Sequence, residues 1–294
     1  MIDRRLLSLA PKAKRSAAAA VAARWGALLA DALIIIVLTA LIGRLAAGTA
    51  AAGDAARAVA LCLLAALARA LCGFWASRVS YAASAGVKKH LREKLYSRLI
   101  ALGPGYGETA GTAEILQIAT EGVDQLETYF GRYLPQFFYS IAAPLTLFFI
   151  MAAINLQAAF VLLICAPLIP LLLLLISKLA GKMASQQWNS YISLGDRFLE
   201  NIQGMTTLKV YGADGEQQKE TAKEAELFRR STMRLLRMQL GSIIVMDFVA
   251  FGGAALGIGT AAWEYGQGSV SLAGALALML LAAEYFIPLR QLGS

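Results

Sequence analysis

Five ionisable side chains fall inside or at the end of apolar runs of this sequence. Asp31 lies in Trp25 to Gly43, Arg69 in Ala58 to Ala76, and Asp247 in Leu240 to Trp263. Glu284 lies in the last run, from Val270 to Pro288, and Arg290 closes it. A charge at mid-bilayer costs at least about 2.5–3.5 kcal/mol on insertion scales, so such residues face a bundle interior or a watery cavity and often pair. Two chemistries are open. The arginines could gather the carboxylates of an anionic cargo, or each could pair with an acid and hold helices together. The candidate cavity set is Arg69, Asp247, Glu284, Arg290 and Tyr285. Tyr133, Phe137, Phe138, Tyr139 and Phe286 are further aromatic candidates, with interfacial anchoring or packing as their alternative use.

The elements that must position these residues are membrane helices. The chain has 294 residues, 58% of them hydrophobic and 16% charged. A soluble domain is about 45–50% apolar and about 25% charged. The net charge of +8 fits the Lys/Arg excess that flanks membrane helices on the cytoplasmic side better than nucleic-acid binding. Cys62, Cys72 and Cys165 sit in apolar runs without metal-ligand spacing, and His90 is the lone histidine, so no metal site is expected. Residues 1–24 carry six basic residues and one acid. They read as an amphipathic elbow helix on the inner membrane surface rather than a cleaved signal peptide.

A span needs about 20 mostly apolar residues. Six are predicted, at about 25–43, 58–82, 133–154, 156–176, 240–263 and 270–290, with Asn155 turning the chain between the third and fourth. Of the 27 Lys and Arg residues, 23 fall in residues 1–24, 77–132 and 177–239. The positive-inside rule places those segments, and the N-terminus, in the cytoplasm. The stretches 83–132 and 177–239 are predicted as helical extensions. Leu91, Leu95, Leu99 and Leu102 make one helix face, and breakers at Gly103-Pro104-Gly105 and around Gly204 to Gly215 allow a turn in each stretch. Asp31, Asp247 and Glu284 then fall in the cytoplasmic half of the bundle, as suits a cavity loading from that side.

No Gly-x-x-x-x-Gly-Lys-Ser/Thr phosphate loop occurs, and no nucleophile–base pair stands out. The segment is not expected to be an enzyme by itself. Gly252 to Gly259 holds four glycines within an apolar run and is expected to pack helices rather than bind a dinucleotide. Pro135, Pro144, Pro167 and Pro170 are expected to bend the third and fourth spans.

The pattern resembles the transmembrane domain of ATP-binding-cassette exporters. The stretch Tyr106 to Asp124 resembles that family's first coupling region, and Phe198-Leu-Glu-Asn-Ile-Gln-Gly-Met-Thr-Thr-Leu-Lys-Val-Tyr-Gly212 its second. Within the family the chain is most similar to the CydD half of CydDC transporters. The matching pieces are Arg132-Tyr-Leu-Pro-Gln136, Ala166 to Leu171, Phe198 to Gly212 and Glu284 to Gly293. The resemblance implies an all-α, six-span fold with long cytoplasmic helix extensions in the bacterial inner membrane. It implies a CydC-like half as heterodimer partner and a nucleotide-binding domain after residue 294 that uses ATP and Mg. It implies coupling to that domain through Glu108, Gly111, Glu114, Gly204, Met205, Leu208 and Tyr211. The implied cargo is a small thiol (cysteine or glutathione) or haem, exported for cytochrome bd assembly. The segment alone is expected to hold no cofactor, to bind no nucleic acid, and to be able to self-pair. A nucleotide-independent membrane carrier or scaffold is the alternative function.

Overall fold

The computed structural model describes residues 11–103 and 112–292. Among them there is no strand, and six helices are long and apolar enough to cross a membrane: Ser16–Ala46, Gly53–Leu102, Ile115–Ala152, Leu156–Gln203, Asp214–Gly266 and Leu272–Arg290. The all-α, six-span architecture expected from the hydropathy pattern is the one observed. Residues 1–10 of the expected elbow lie outside the described residues. From Pro11 the chain forms one helix, α1, to Ala46, with no break between surface helix and span near Trp25. Composition explains this. The segment from Ala17 to Ala30 is alanine-rich, alanine has the highest helix propensity, and no proline interrupts it.

The remaining elements are α2 (Ala52–Leu102), α3 (Thr112–Gln117), a π turn at Ile118–Gly122, α4 (Val123–Thr128), a second π turn at Tyr129–Tyr133, α5 (Leu134–Ala152), α6 (Leu156–Cys165), α7 (Leu168–Gln203), α8 (Met205–Val210), α9 (Asp214–Gly266), α10 (Leu272–Tyr285) and α11 (Ile287–Arg290). At 53 residues, α9 is about 80 Å long at 1.5 Å per residue. A hydrocarbon core of about 30 Å accounts for less than half of it.

The chain divides into two compact units. The first holds residues 1–87, 128–173 and 245–294. Its core joins Leu147 and Met151 of α5, Leu162 of α6, Met246 of α9, and Leu278, Leu281 and Tyr285 of α10. Close helix approach depends on glycine. A Cβ at Gly253 would sit 2.5 Å from Phe286, and one at Gly257 would sit 2.6 Å from Leu162 and 3.1 Å from Ala282. Gly252 and Gly259 face open space, so the small-residue stripe at four-residue spacing is the packing surface. The turn between α5 and α6 is set by Asn155, whose side chain accepts the Ala158 N–H at 2.9 Å and caps α6. Its amide donates to Glu264 at 3.1 Å, and the Ser269 hydroxyl donates to the same carboxylate oxygen at 2.5 Å. These bonds satisfy a buried carboxylate and pin two inter-helix turns.

The second unit holds residues 88–127 and 174–244. Polar and aromatic pairs knit it. Lys88 reaches Asp124 at 2.6 Å and Glu127 at 3.0 Å, and Arg92 reaches Asp124 at 3.3 Å. Arg197 pairs with Glu220 at 3.3 Å, and Asn201 donates to Thr221 at 2.7 Å. Tyr191 donates to Glu121 and packs its ring on Phe228.

Candidate functional site: a cationic cavity in the helical bundle

Arg24, Ala27, Leu28 and Asp31 recur at three- and four-residue intervals, so α1 presents them on one face. That face borders a cavity of about 660 Å³ in the first unit, within the range of small-molecule sites. Arg69 and Gly73, one turn apart on α2, form a second wall. The third comes from Arg132, Tyr133, Gln136 and Tyr139. Here the local backbone matters: the π turn Tyr129–Tyr133 inserts an extra residue into the helical repeat and re-aims the side chains after it, a distortion frequent at functional sites. Tyr133 stacks on Tyr129 with ring centroids 5.5 Å apart.

Three arginines and one aspartate line the cavity, so its charge is net positive. Arg69 Nη1 lies 2.8 Å from Asp31 Oδ1. Arg24 Nη1 donates to Gln136 Oε1 at 2.5 Å, and Gln136 Nε2 donates to the Pro288 carbonyl at 2.9 Å. Ser140 donates to the same carbonyl at 2.6 Å. Gln136 therefore fixes the Arg24 guanidinium and ties it to α11. Planar guanidinium groups match carboxylates in bidentate fashion. The arrangement can bind and orient an anion. Among the described residues no group of three His, Cys, Asp or Glu could hold a metal ion.

Of the five residues proposed from sequence as a cavity set, Arg69 lines this space. Glu284 is half-buried and within electrostatic reach of Asp31 and Arg69. Asp247 and Arg290 pair with each other at 3.2 Å, and the Arg290 guanidinium sits 5.3 Å over the Phe251 ring. Tyr285 is fully buried, edge-to-face with Phe286. Arg24, Arg132 and Gln136 were not singled out for the cavity by sequence reasoning. Arg24 reads as one more flanking charge, yet it stands seven residues, two helical turns, before Asp31, and that spacing was a usable signal.

In the second unit, α8 (Met205–Val210) is bracketed by Gly204 and by Gly212, whose φ of +65° suits glycine. The Gly204 N–H donates to the Glu200 carbonyl at 2.8 Å, and the Ala213 N–H to the Leu208 carbonyl at 3.0 Å. Met205, Val210 and Tyr211 are 53%, 77% and 81% exposed, while Leu208 is half-buried. Of the first set of coupling candidates, Glu114 lies in α3, and Glu108 and Gly111 fall outside the described residues.

The family model for the ABC transporter transmembrane region matches residues 18–287. The chain belongs to this family. As an ABC transporter transmembrane domain it is a multi-pass membrane protein. It is 47% identical over 233 residues, 79% of its length, to a Haemophilus influenzae protein named as an uncharacterized ABC transporter ATP-binding protein. It is 34% identical over 74% of its length to the Escherichia coli glutathione/L-cysteine transport system ATP-binding/permease protein CydD. It is 28% identical over 73% of its length to the corresponding CydC protein of Bacillus subtilis. The domain spans 42%, 38% and 37% of these three relatives, about two fifths of each.

Proposed function

We propose that this domain is the permease part of an ATP-driven CydD-like half-transporter that moves a small carboxylate-bearing thiol, glutathione or cysteine, out of the cytoplasm. The observation that carries the reading is the cavity lined by Arg24, Arg69 and Arg132 against the single acid Asp31. Glutathione and cysteine present carboxylates for the arginines and an ammonium for the aspartate. The names of the Escherichia coli and Bacillus subtilis relatives support this cargo class. Haem is the weaker cargo: the relatives' names give glutathione and L-cysteine, and no His, Met or Cys lines the cavity, which leaves Tyr133 and Tyr139 as its possible axial ligands.

The partner is a CydC-like half, the location the bacterial inner membrane with the N-terminus cytoplasmic, and a nucleotide-binding domain accompanies this domain in the parent protein. Relatives named as ATP-binding/permease proteins of more than twice this length support that arrangement. The exposed apolar residues Met205, Val210 and Tyr211 would press into the nucleotide-binding domain, with Gly204 and Leu208 shaping the contact and Glu108, Gly111 and Glu114 forming its companion. Closure of that domain on ATP would then shift the bundle between discrete packed arrangements.

The test uses inside-out vesicles carrying the parent heterodimer. ATP-dependent uptake of labelled glutathione or cysteine is expected, and it should fall at least tenfold in Arg24→Gln/Arg132→Gln. Uptake that ignores ATP, or ATP-dependent movement of haem alone, would defeat the proposal.

A further inference from the structure

The α9 segment from Arg229 to Leu240 presents four arginines and three apolar residues along one open surface strip. At about 100° per residue, Met233, Leu236 and Leu240 share a sector about 60° wide, and Arg230, Arg234 and Arg237 fill the adjoining sector. All six side chains are exposed. Arg229 and Arg230 are bonded to Glu226. Arg234 and Arg237 have no ion-pair partner among the described residues. One turn further on, Leu240 and Ile244 remain 62% and 69% exposed, and the sequence continues as the apolar run to Trp263. Along the helix, unneutralised guanidinium groups thus give way to bare hydrocarbon-compatible side chains. That is the order in which a phospholipid presents its phosphate and its acyl chain at the membrane–water interface.

We propose that Arg234 and Arg237 form a binding site for the phosphate of an anionic phospholipid, with an acyl chain lying along Leu240 and Ile244. The charge argument commits the site to a lipid rather than to an apolar partner. A hydrophobic protein surface would leave Arg234 and Arg237 without counter-charge. Guanidinium groups bind phosphate oxygens by charge-assisted, often bidentate bonds. Their aliphatic stems lie along apolar surface while the charged heads stay at the interface. The site is independent of the cargo cavity and does not rely on the cargo assignment.

The experiment is native mass spectrometry of the purified parent transporter equilibrated with equal amounts of phosphatidylglycerol and phosphatidylcholine. Wild type should retain phosphatidylglycerol preferentially. Arg234→Gln/Arg237→Gln should lose about fivefold in retention per arginine removed, given about 1 kcal/mol per basic residue near an anionic surface. Arg234→Lys/Arg237→Lys keeps the charges, controls for folding and should recover most of the preference. Lys219→Gln/Lys223→Gln, two exposed charges on the same helix, should leave it unchanged. The proposal is overturned if wild type shows no lipid preference, if the lysine-removal variant loses as much as the arginine-removal variant, or if inorganic phosphate displaces the lipid.

Discussion

Arg69 of α2 and Asp31 of α1 meet at 2.8 Å on the wall of a cavity that otherwise carries two more arginines. The pair reconciles two uses that look exclusive in sequence. Asp31 neutralises Arg69 and cross-links two helices, yet the Arg69 side chain remains 60% exposed. A cargo carboxylate can therefore still reach it. Charge-assisted hydrogen bonds contribute about 1.5–3 kcal/mol each. Arg69→Ala in the parent heterodimer is expected to weaken glutathione binding by about tenfold to a hundredfold. Asp31→Asn frees the guanidinium and should tighten binding of a carboxylate without an amino group, such as glutarate. Titration calorimetry on the two variants decides it: unchanged affinity in both would make the pair purely structural.

Gly131 lies in the π turn that aims Arg132 and Tyr133. A Cβ at this position would collide with Ser84 Oγ and stand 3.2 Å from Ser84 Cβ. Ser84 is itself buried and donates to the Ser80 carbonyl at 3.1 Å, so it has little room to withdraw. Gly131→Ala is expected to cost about 1–3 kcal/mol by overpacking. Gly131→Ala/Ser84→Gly should recover most of the loss. Thermal unfolding in detergent measures both, and a neutral single variant would show that the helices separate easily here.

These two sites show what the sequence could and could not convey. Hydropathy made the six helices legible, because a run of about 20 apolar residues has few other uses. Packing of the glycine stripe was also legible, since small residues within a span have one common purpose. That Gly253 and Gly257 pack while Gly252 and Gly259 do not depends on which face meets Phe286 and Leu162. Pairing was harder. Arg69 has three candidate acids in the spans, and only the positions of α1 and α2 select Asp31 over Asp247. The π turn at Tyr129–Tyr133 left no sign in the residue types: a one-residue slip of hydrogen bonding costs little locally and is set by what packs around it. Reading Arg132, Tyr133 and Gln136 into the cavity required that slip.

Tyr285 tests the difference between a cavity residue and a core residue. It is fully buried, and its hydroxyl has no hydrogen-bond partner among the described residues. A buried donor left unpaired costs about 1–3 kcal/mol. Tyr285→Phe keeps the ring and its contact with Phe286, so stability is expected to rise, on the order of 1 kcal/mol, with cargo affinity unchanged. Differential scanning fluorimetry and a glutathione titration check the two halves separately. A loss of cargo affinity at unaltered stability would return the hydroxyl to the binding site.

Glu226 supplies the pH dependence, in the charged part of α9 before its apolar run. It bonds Arg229 through Nε at 2.7 Å and Nη2 at 2.9 Å, and Arg230 Nε at 2.8 Å. The hydrogen bonds from Arg229, then those from Arg230, hold its carboxyl down from the ordinary 4.5 to about 2. A carboxyl lowered on folding favours the folded state most above its unfolded value. That contribution is complete above pH 4.5 and is lost as the pH falls through about 2. The group is exposed, so the effect is local and screened by salt. Carbon-13 NMR of labelled Glu226 should give a midpoint near 2 at low ionic strength, moving toward 4.5 in high salt or in Arg229→Gln/Arg230→Gln. Between about pH 7 and 4.5, helical order around residues 222–234 should stay constant. A midpoint that remains at 4.5 in wild type would mean the arginines spend their time elsewhere, released from Glu226 and facing solvent or lipid phosphate.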